Sequence, residues 1–262
     1  MPPFLPFVSR WFETSFSEAT EPQRRGWEAI ASGRDTLIVA PTGSGKTLAA
    51  FLWALDHLHR LALERKLDDR VYVVYVSPLR ALNNDIEKNL RAPLAGIRAA
   101  AEADGLALPE IRVAVRTGDT LAAARQAMTR KPPHVLITTP ESLYLLLTSQ
   151  RFRPALAGAR FVIVDEVHAL MGGKRGAHLA LSLERLQALV EEHHPDERPQ
   201  RIGCSATVNP VEDALDFLTG STAREPIAID VGFGRQLDLQ VLAPVDDFLT
   251  TPGDTIWEAA LQ

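Results

Sequence analysis

The chain has 262 residues, enough for one large domain or two small ones, and its apolar share of 46% can fill a sizeable core. A net charge of −5 excludes a uniformly basic nucleic-acid coat, though not a local basic groove. Cys204 is the one cysteine, so neither an internal disulfide nor a cysteine-based zinc site can form.

The opening, "MPPFLPFVSRWF", is apolar but short, broken by proline and free of a basic leader. It does not read as a signal peptide, and no later run is long enough to cross a membrane. A soluble cytoplasmic protein with no membrane partner is expected. Residues 1–29 read as an N-terminal helical segment. Then strand-like and helix-like stretches alternate. "DTLIVA" (Asp35 to Ala40) is a β-rich run, followed by the helical "GKTLAAFLWALDHLHRLAL". "VYVVYVS" (Val71 to Ser77) precedes a long helical stretch that Pro93 would kink or split. "IRVAVRT", "HVLITT", "RFVIVDE" and "RIGCSAT" are four more strand candidates, each leading into a helical pattern.

Continuous apolar strands alternating with helices imply an α/β domain, a mostly parallel sheet with helices on both faces. Ligands gather beyond the carboxyl ends of such strands. That rim holds Ala40, Ser77, Thr117, Thr139, Asp165 and Thr207; the strand order is open. Basic residues are concentrated between Val71 and Lys131, and acids between Glu184 and Asp216. Such clusters are most often solvated helix faces.

"APTGSGKT", Ala40 to Thr47, follows a strand and opens a helix, as a phosphate-binding loop must. Gly43 and Gly45 let the backbone turn its N–H groups inward, and the helix N-terminus adds positive potential. Lys46 would reach the outer phosphates of a nucleotide, and the Thr47 hydroxyl would ligate Mg²⁺. The general pattern has glycine where this chain has Ala40. Pro41, Thr42 and Ser44 complete the loop. The alternative is a chance glycine-rich turn.

Asp165 and Glu166 end an apolar strand. Alone they read equally well as a solvated acid pair. Beside a phosphate loop, Asp165 suits an Mg²⁺ ligand acting largely through water, and Glu166 a group that orients or deprotonates the attacking water. His168, Ser205, Thr207 and Gln23 are weak signals singly: a structural histidine, two helix-capping hydroxyls and a solvated helix residue would explain them.

Together the motifs resemble those of superfamily 2 helicases of the DExH type. "APTGSGKT", "DEVH" and "SAT" resemble motifs I, II and III, and the Ala40 departure is usual there. "SPLRAL" resembles motif Ia, "RTGDT" the Thr-Gly motif, "TTPESL" motif Ib, and "TEPQ" the end of a Q motif with Gln23 as adenine reader. The N-terminal stretch from Phe4 and "KRGAHLALSLERL" after the DExH strand resemble the large helicase-related (Lhr) group. The resemblance implies a RecA-like P-loop NTPase domain over residues 30–230, with ATP and Mg²⁺ as cofactors. It makes residues 231–262 a linker toward a second RecA-like domain. Glu166 would be the catalytic base, with Asp165 and Lys46 beside it. His168 would couple the nucleotide to Ser205 and Thr207. Pro78, Arg80, Gly118, Thr139 and Pro140 would hold the backbone of single-stranded nucleic acid, DNA in a repair role. RNA, a binding fragment without motor activity and a non-helicase ATPase are the competing readings. Arginine fingers from a second domain contribute roughly 10³–10⁵ in rate in comparable sites, so slow hydrolysis is expected of this chain alone.

Overall fold

In the computed structural model, residues 3–78, 80–220 and 225–232 are described, apart from the side chains of 80–85 and 88. The expected linker therefore lies, from residue 233 onward, outside the described residues.

The elements run α1 (Pro6–Ser15), α2 (Glu21–Ala31), β1 (Thr36–Val39), α3 (Lys46–Leu63), β2 (Val73–Val76), α4 (Arg80–Ala103) and β3 (Val113–Arg116). They continue as α5 (Ala122–Arg130), β4 (Val135–Thr138), α6 (Pro140–Thr148), α7 (Arg153–Leu156), β5 (Phe161–Val164) and α8 (Val167–Leu170). The last are α9 (Lys174–His193), β6 (Gln200–Ser205), α10 (Val211–Thr219) and β7 (Ile227–Asp230). The seven strands form one sheet in the order β3-β4-β2-β5-β6-β1-β7, and every pairing is parallel.

The two-residue period of a strand sends alternate side chains to opposite faces. Ile38, Val73, Tyr75, Val135, Ile137, Ile163 and Ile202 enter a core roofed by α1, α2, α3 and α4. Leu37, Val39, Val74, Val76, Leu136, Val162 and Val164 enter the opposite core, under α6 to α10. The expected parallel sheet with helices on both faces is what forms. The N-terminal helices share the first core. Trp27 of α2 is fully buried, its Nε1 donates to the Ala49 carbonyl at 3.1 Å, and Phe4 and Phe12 meet its ring edge-on, each at 5.2 Å.

Two elements differ from the sequence reading. Pro93 does not split its helix, since α4 runs from Arg80 through Ala103. The carbonyl that Pro93 cannot bond belongs to Asn89, an exposed residue where water can serve it. β7 escapes the sequence pattern because "IAID" is short and partly exposed, as an edge strand is. It is held by Ile227 N–H to the Asp35 carbonyl (2.9 Å) and Val231 N–H to the Val39 carbonyl (3.0 Å). Among the described residues no helix is long and apolar enough to cross a membrane.

The first core also encloses His59, 2% exposed, edge-on to Phe7 at 5.7 Å, with neither ring nitrogen hydrogen-bonded among the described residues. Burial lowers its pKa from 6.5 to about 4. Above pH 6.5 the ring is neutral folded or unfolded, and nothing is lost. As pH falls from 6.5 toward 4 the unfolded chain takes up a proton that the folded chain refuses, so stability falls. His59→Leu is expected to remove about 3 kcal/mol of that acid-induced loss. Denaturant melts of both chains at pH 7 and pH 4.5 measure it; equal acid losses would mean that His59 titrates normally.

Candidate functional site

The loop after β1 starts where Ala40 N–H donates to the Ser205 carbonyl (3.1 Å), which moors it to β6. Gly43 and Gly45 both have positive φ, +80° and +84°, values that side-chain-bearing residues rarely adopt. A Cβ at Gly45 would also stand 2.4 Å from the Gln23 amide nitrogen. Lys46 opens α3 and is 6% exposed. Its ammonium donates to the Pro41 carbonyl at 3.3 Å, and no carboxylate pairs with it among the described residues. The Ser44 hydroxyl is buried without a hydrogen-bond partner among those residues. A sheltered cation and an orphaned hydroxyl inside a glycine-turned loop are costly features that an anionic ligand relieves. The loop fits a phosphate chain.

Gln23 is buried, so the alternative of a solvated helix residue does not hold. Thr20 and Gln23 form a reciprocal cap on α2: Gln23 N–H donates to Thr20 Oγ1 (3.4 Å) and Thr20 N–H to Gln23 Oε1 (3.0 Å). Both also reach the loop. Thr20 Oγ1 donates to the Ser44 carbonyl (2.8 Å) and Gln23 Nε2 to the Gly45 carbonyl (3.3 Å). The cap of α2 thus braces the phosphate loop.

Asp165 follows β5 and is buried at 6% exposure. Thr47 Oγ1 donates to Asp165 Oδ2 at 3.5 Å, and Glu166 N–H to Oδ1 at 2.9 Å. A hydroxyl and a carboxylate are the hard oxygen donors Mg²⁺ takes, alongside phosphate and water, so Thr47 and Asp165 fit that ion. Glu166 adopts φ +52° and ψ +47°, a left-handed conformation uncommon for a residue with a side chain. This sharp turn sets Glu166 Oε2 3.4 Å from His168 Nε2, while His168 Nδ1 lies 3.2 Å from Ser205 Oγ. Glu166, His168 and Ser205 therefore form a chain that ends on the residue mooring Ala40. Thr207 is exposed and joins no part of this chain among the described residues.

Gly176 explains the register of α9 behind this turn. A Cβ there would stand 2.0 Å from the Leu170 carbonyl, so only glycine lets α9 lie so close to α8.

The remaining candidates gather on the other half of the rim. Pro78 follows β2, Gly118 follows β3, and Thr139 and Pro140 follow β4. The Arg80 side chain lies outside the described residues. Thr139 caps α6, accepting from Ser142 N–H at 3.4 Å. Arg125 donates to the carbonyls of Gly118 and Thr120, both at 2.7 Å, and fixes the Thr-Gly loop. The sheet order divides the rim. Loops after β5, β6 and β1 carry the nucleotide candidates side by side, and loops after β3, β4 and β2 carry the strand candidates.

The sequence pattern does not reveal Tyr75 or the bracing role of Thr20. Tyr75, on β2, donates to Asp165 Oδ2 at 2.5 Å. Burial and the neighbouring Asp165 carboxylate push its pKa far up, so it stays a donor. Cys204 is fully buried, and burial raises its pKa; it donates to the Lys46 carbonyl at 3.6 Å as a packing residue.

The family model for DEAD/DEAH box helicases matches residues 20–214. The chain is 49% identical over 249 residues to the ATP-dependent helicase Lhr-Core of Methanocaldococcus jannaschii, covering 95% of this chain and 28% of that protein. It is 50% identical over 254 residues to a Mycolicibacterium smegmatis protein named Lhr helicase/probable uracil glycosylase, covering 97% of this chain and 16% of that one. A solved structure of Mycobacterium smegmatis helicase Lhr, bound to ssDNA and AMP-PNP, superposes with a TM-score of 0.82 at 48% identity, covering 99% of this chain and 32% of that one. The chain thus spans less than a third of the length of these relatives. With its RecA-like sheet, its phosphate loop and its DEVH turn, the chain belongs to the DEAD/DEAH box helicase family.

Proposed function

We propose that this chain is the ATP-binding motor domain of an ATP-dependent helicase or translocase that moves along single-stranded DNA in repair, working with a second RecA-like domain. The observation that carries the reading is the sheet order, which sets the loops with the nucleotide candidates side by side after β5, β6 and β1 and the loops with the strand-holding candidates side by side after β3, β4 and β2. A motor needs the two sites separate but on one rigid sheet. The bound ssDNA and AMP-PNP of the similar Lhr structure support DNA and ATP as ligands. The relative whose name joins Lhr helicase to a probable uracil glycosylase supports a repair role. The single buried cysteine suits a reducing, cytoplasmic location.

In this reading the loop N–H groups, Lys46 and Ser44 hold the phosphates, and Gln23 faces the adenine. Thr47 and Asp165 hold Mg²⁺, which when bound offsets phosphate charge. Glu166 takes the proton of the attacking water, and His168 passes the state of that carboxylate to Ser205. Pro78, Arg80, Gly118, Thr139 and Pro140 hold sugar and phosphate, the groups that a sequence-tolerant motor must grip.

The test is binding of a fluorescent ATP analogue and of labelled oligo-dT by the purified chain, with Mg²⁺ and over a range of salt. Both are expected to bind, and Arg80→Ala is expected to flatten the salt slope for oligo-dT by about 0.7. Absence of nucleotide binding would refute the motor reading. Tighter binding to the matched RNA oligomer would move the substrate to RNA.

A further inference from the structure

Tyr75 belongs to the strand side of the sheet but touches the nucleotide side. It sits on β2, whose following loop carries Pro78. Its ring is fully buried and stacked on Phe51, with centroids 5.0 Å apart and planes at 29°. Phe51 lies one turn after Thr47 on α3. Thr47 Oγ1 and the Tyr75 hydroxyl both reach Asp165 Oδ2, at 3.5 and 2.5 Å. Four side chains therefore close a ring through α3, β2 and the end of β5.

The register shows why a tyrosine is needed. Tyr75 is the neighbour of Ile163, two residues short of Asp165. Phenylalanine would fill the same core but leave Oδ2 without this donor. With Tyr75 on Oδ2 and Glu166 N–H on Oδ1, each carboxylate oxygen has a fixed donor, so the group is held in one rotation. Oδ1 keeps a further lone pair for a cation, while Oδ2 accepts from both Tyr75 and Thr47 and frees one only when the Thr47 hydroxyl turns to the metal. β2 is also the strand at which the rim changes from nucleotide loops to strand-holding loops. Any movement of Asp165 must pull Tyr75 along or break a hydrogen bond to a charged acceptor.

We infer that Tyr75 is a positioning residue: its hydroxyl orients Asp165 for the magnesium–nucleotide and ties that orientation to β2, two residues before Ser77-Pro78. The inference rests on the motor reading and adds a residue that none of its motifs assigns a role.

Tyr75→Phe keeps the ring on Phe51 and removes one oxygen. Binding of a fluorescent ATP analogue is measured with Mg²⁺ and with EDTA. In EDTA the variant is expected to match the parent chain, while the tightening caused by Mg²⁺ falls about tenfold. In an Asp165→Asn background, Tyr75→Phe is expected to change nothing further, because its route runs through that carboxylate. A parental Mg²⁺ response in Tyr75→Phe would overturn the inference. So would an effect that persists undiminished beside Asp165→Asn, since that marks a general packing role. An independent measurement needs no variant: hydrogen exchange of the parent chain should slow at the amides of Tyr75, Val76 and Ser77 when nucleotide binds with Mg²⁺, but not with nucleotide and EDTA. Equal exchange in both conditions would break the proposed tie to β2. If the parent chain binds no nucleotide at all, the motor reading fails first and carries the inference with it.

Discussion

Lys46→Ala is expected to weaken binding of ATP with Mg²⁺ about 100-fold or more, because hydrogen bonds from an ammonium to charged phosphates are worth about 1.5–3 kcal/mol each and Lys46 would make two. The loss should not come from unfolding. The Lys46 ammonium is nearly buried against one carbonyl, so removing it without ligand relieves desolvation rather than breaking an ion pair. The apo melting temperature is therefore expected to hold or rise while affinity falls. Calorimetric titration and a thermal melt decide this together. Unchanged affinity would remove Lys46 from the phosphate site, and a lowered melting temperature would make it a structural residue.

Glu166→Gln is expected to separate binding from turnover. The amide keeps an oxygen to face His168, 3.4 Å away, and glutamine has the same length on the same left-handed backbone. It cannot accept the proton of the attacking water at neutral pH. Turnover by a polypeptide that joins this chain to a second RecA-like domain, as the proposed motor requires, should fall roughly 10²–10⁴-fold, the usual contribution of a positioned base. Nucleotide affinity should stay within about twofold. Phosphate release and fluorescent-nucleotide binding on the same preparation give both numbers. Surviving turnover would pass the role of base to another group.

The two substitutions probe residues that are legible in the amino-acid sequence itself, and the reason is local. Lys46 and Thr47 stand where a strand gives way to a helix, and Asp165 and Glu166 end a run of four buried apolar residues. The motif and its structural context lie within one stretch of chain. The six strands read from sequence share that advantage, most clearly β1, β2, β4 and β5, which are short, mainly apolar runs buried on both faces. Strand order is not legible, because it depends on crossovers between distant segments. The divided rim follows only from the place of β2 between β4 and β5. Tyr75 is hidden for the same reason: it lies 90 residues from Asp165 in sequence and looks like one more apolar strand residue. Thr20 is legible as a helix cap in principle, but its second bond, to the Ser44 carbonyl, needs the fold. Pro93 shows that a proline need not end a helix, since α4 continues through it with the unbonded carbonyl on exposed Asn89.

The proposed division of the rim requires that nucleotide and single strand be held at once. The direct measurement is a calorimetric titration of AMP-PNP with Mg²⁺ into this chain already saturated with oligo-dT, with oligo-dT occupancy followed by fluorescence anisotropy. Separate half-rims give a ternary complex: AMP-PNP binds with one-to-one stoichiometry and the oligomer stays bound. Displacement of oligo-dT in proportion to AMP-PNP would mean that both compete for one phosphate site, and the division of the rim between two ligands would be wrong.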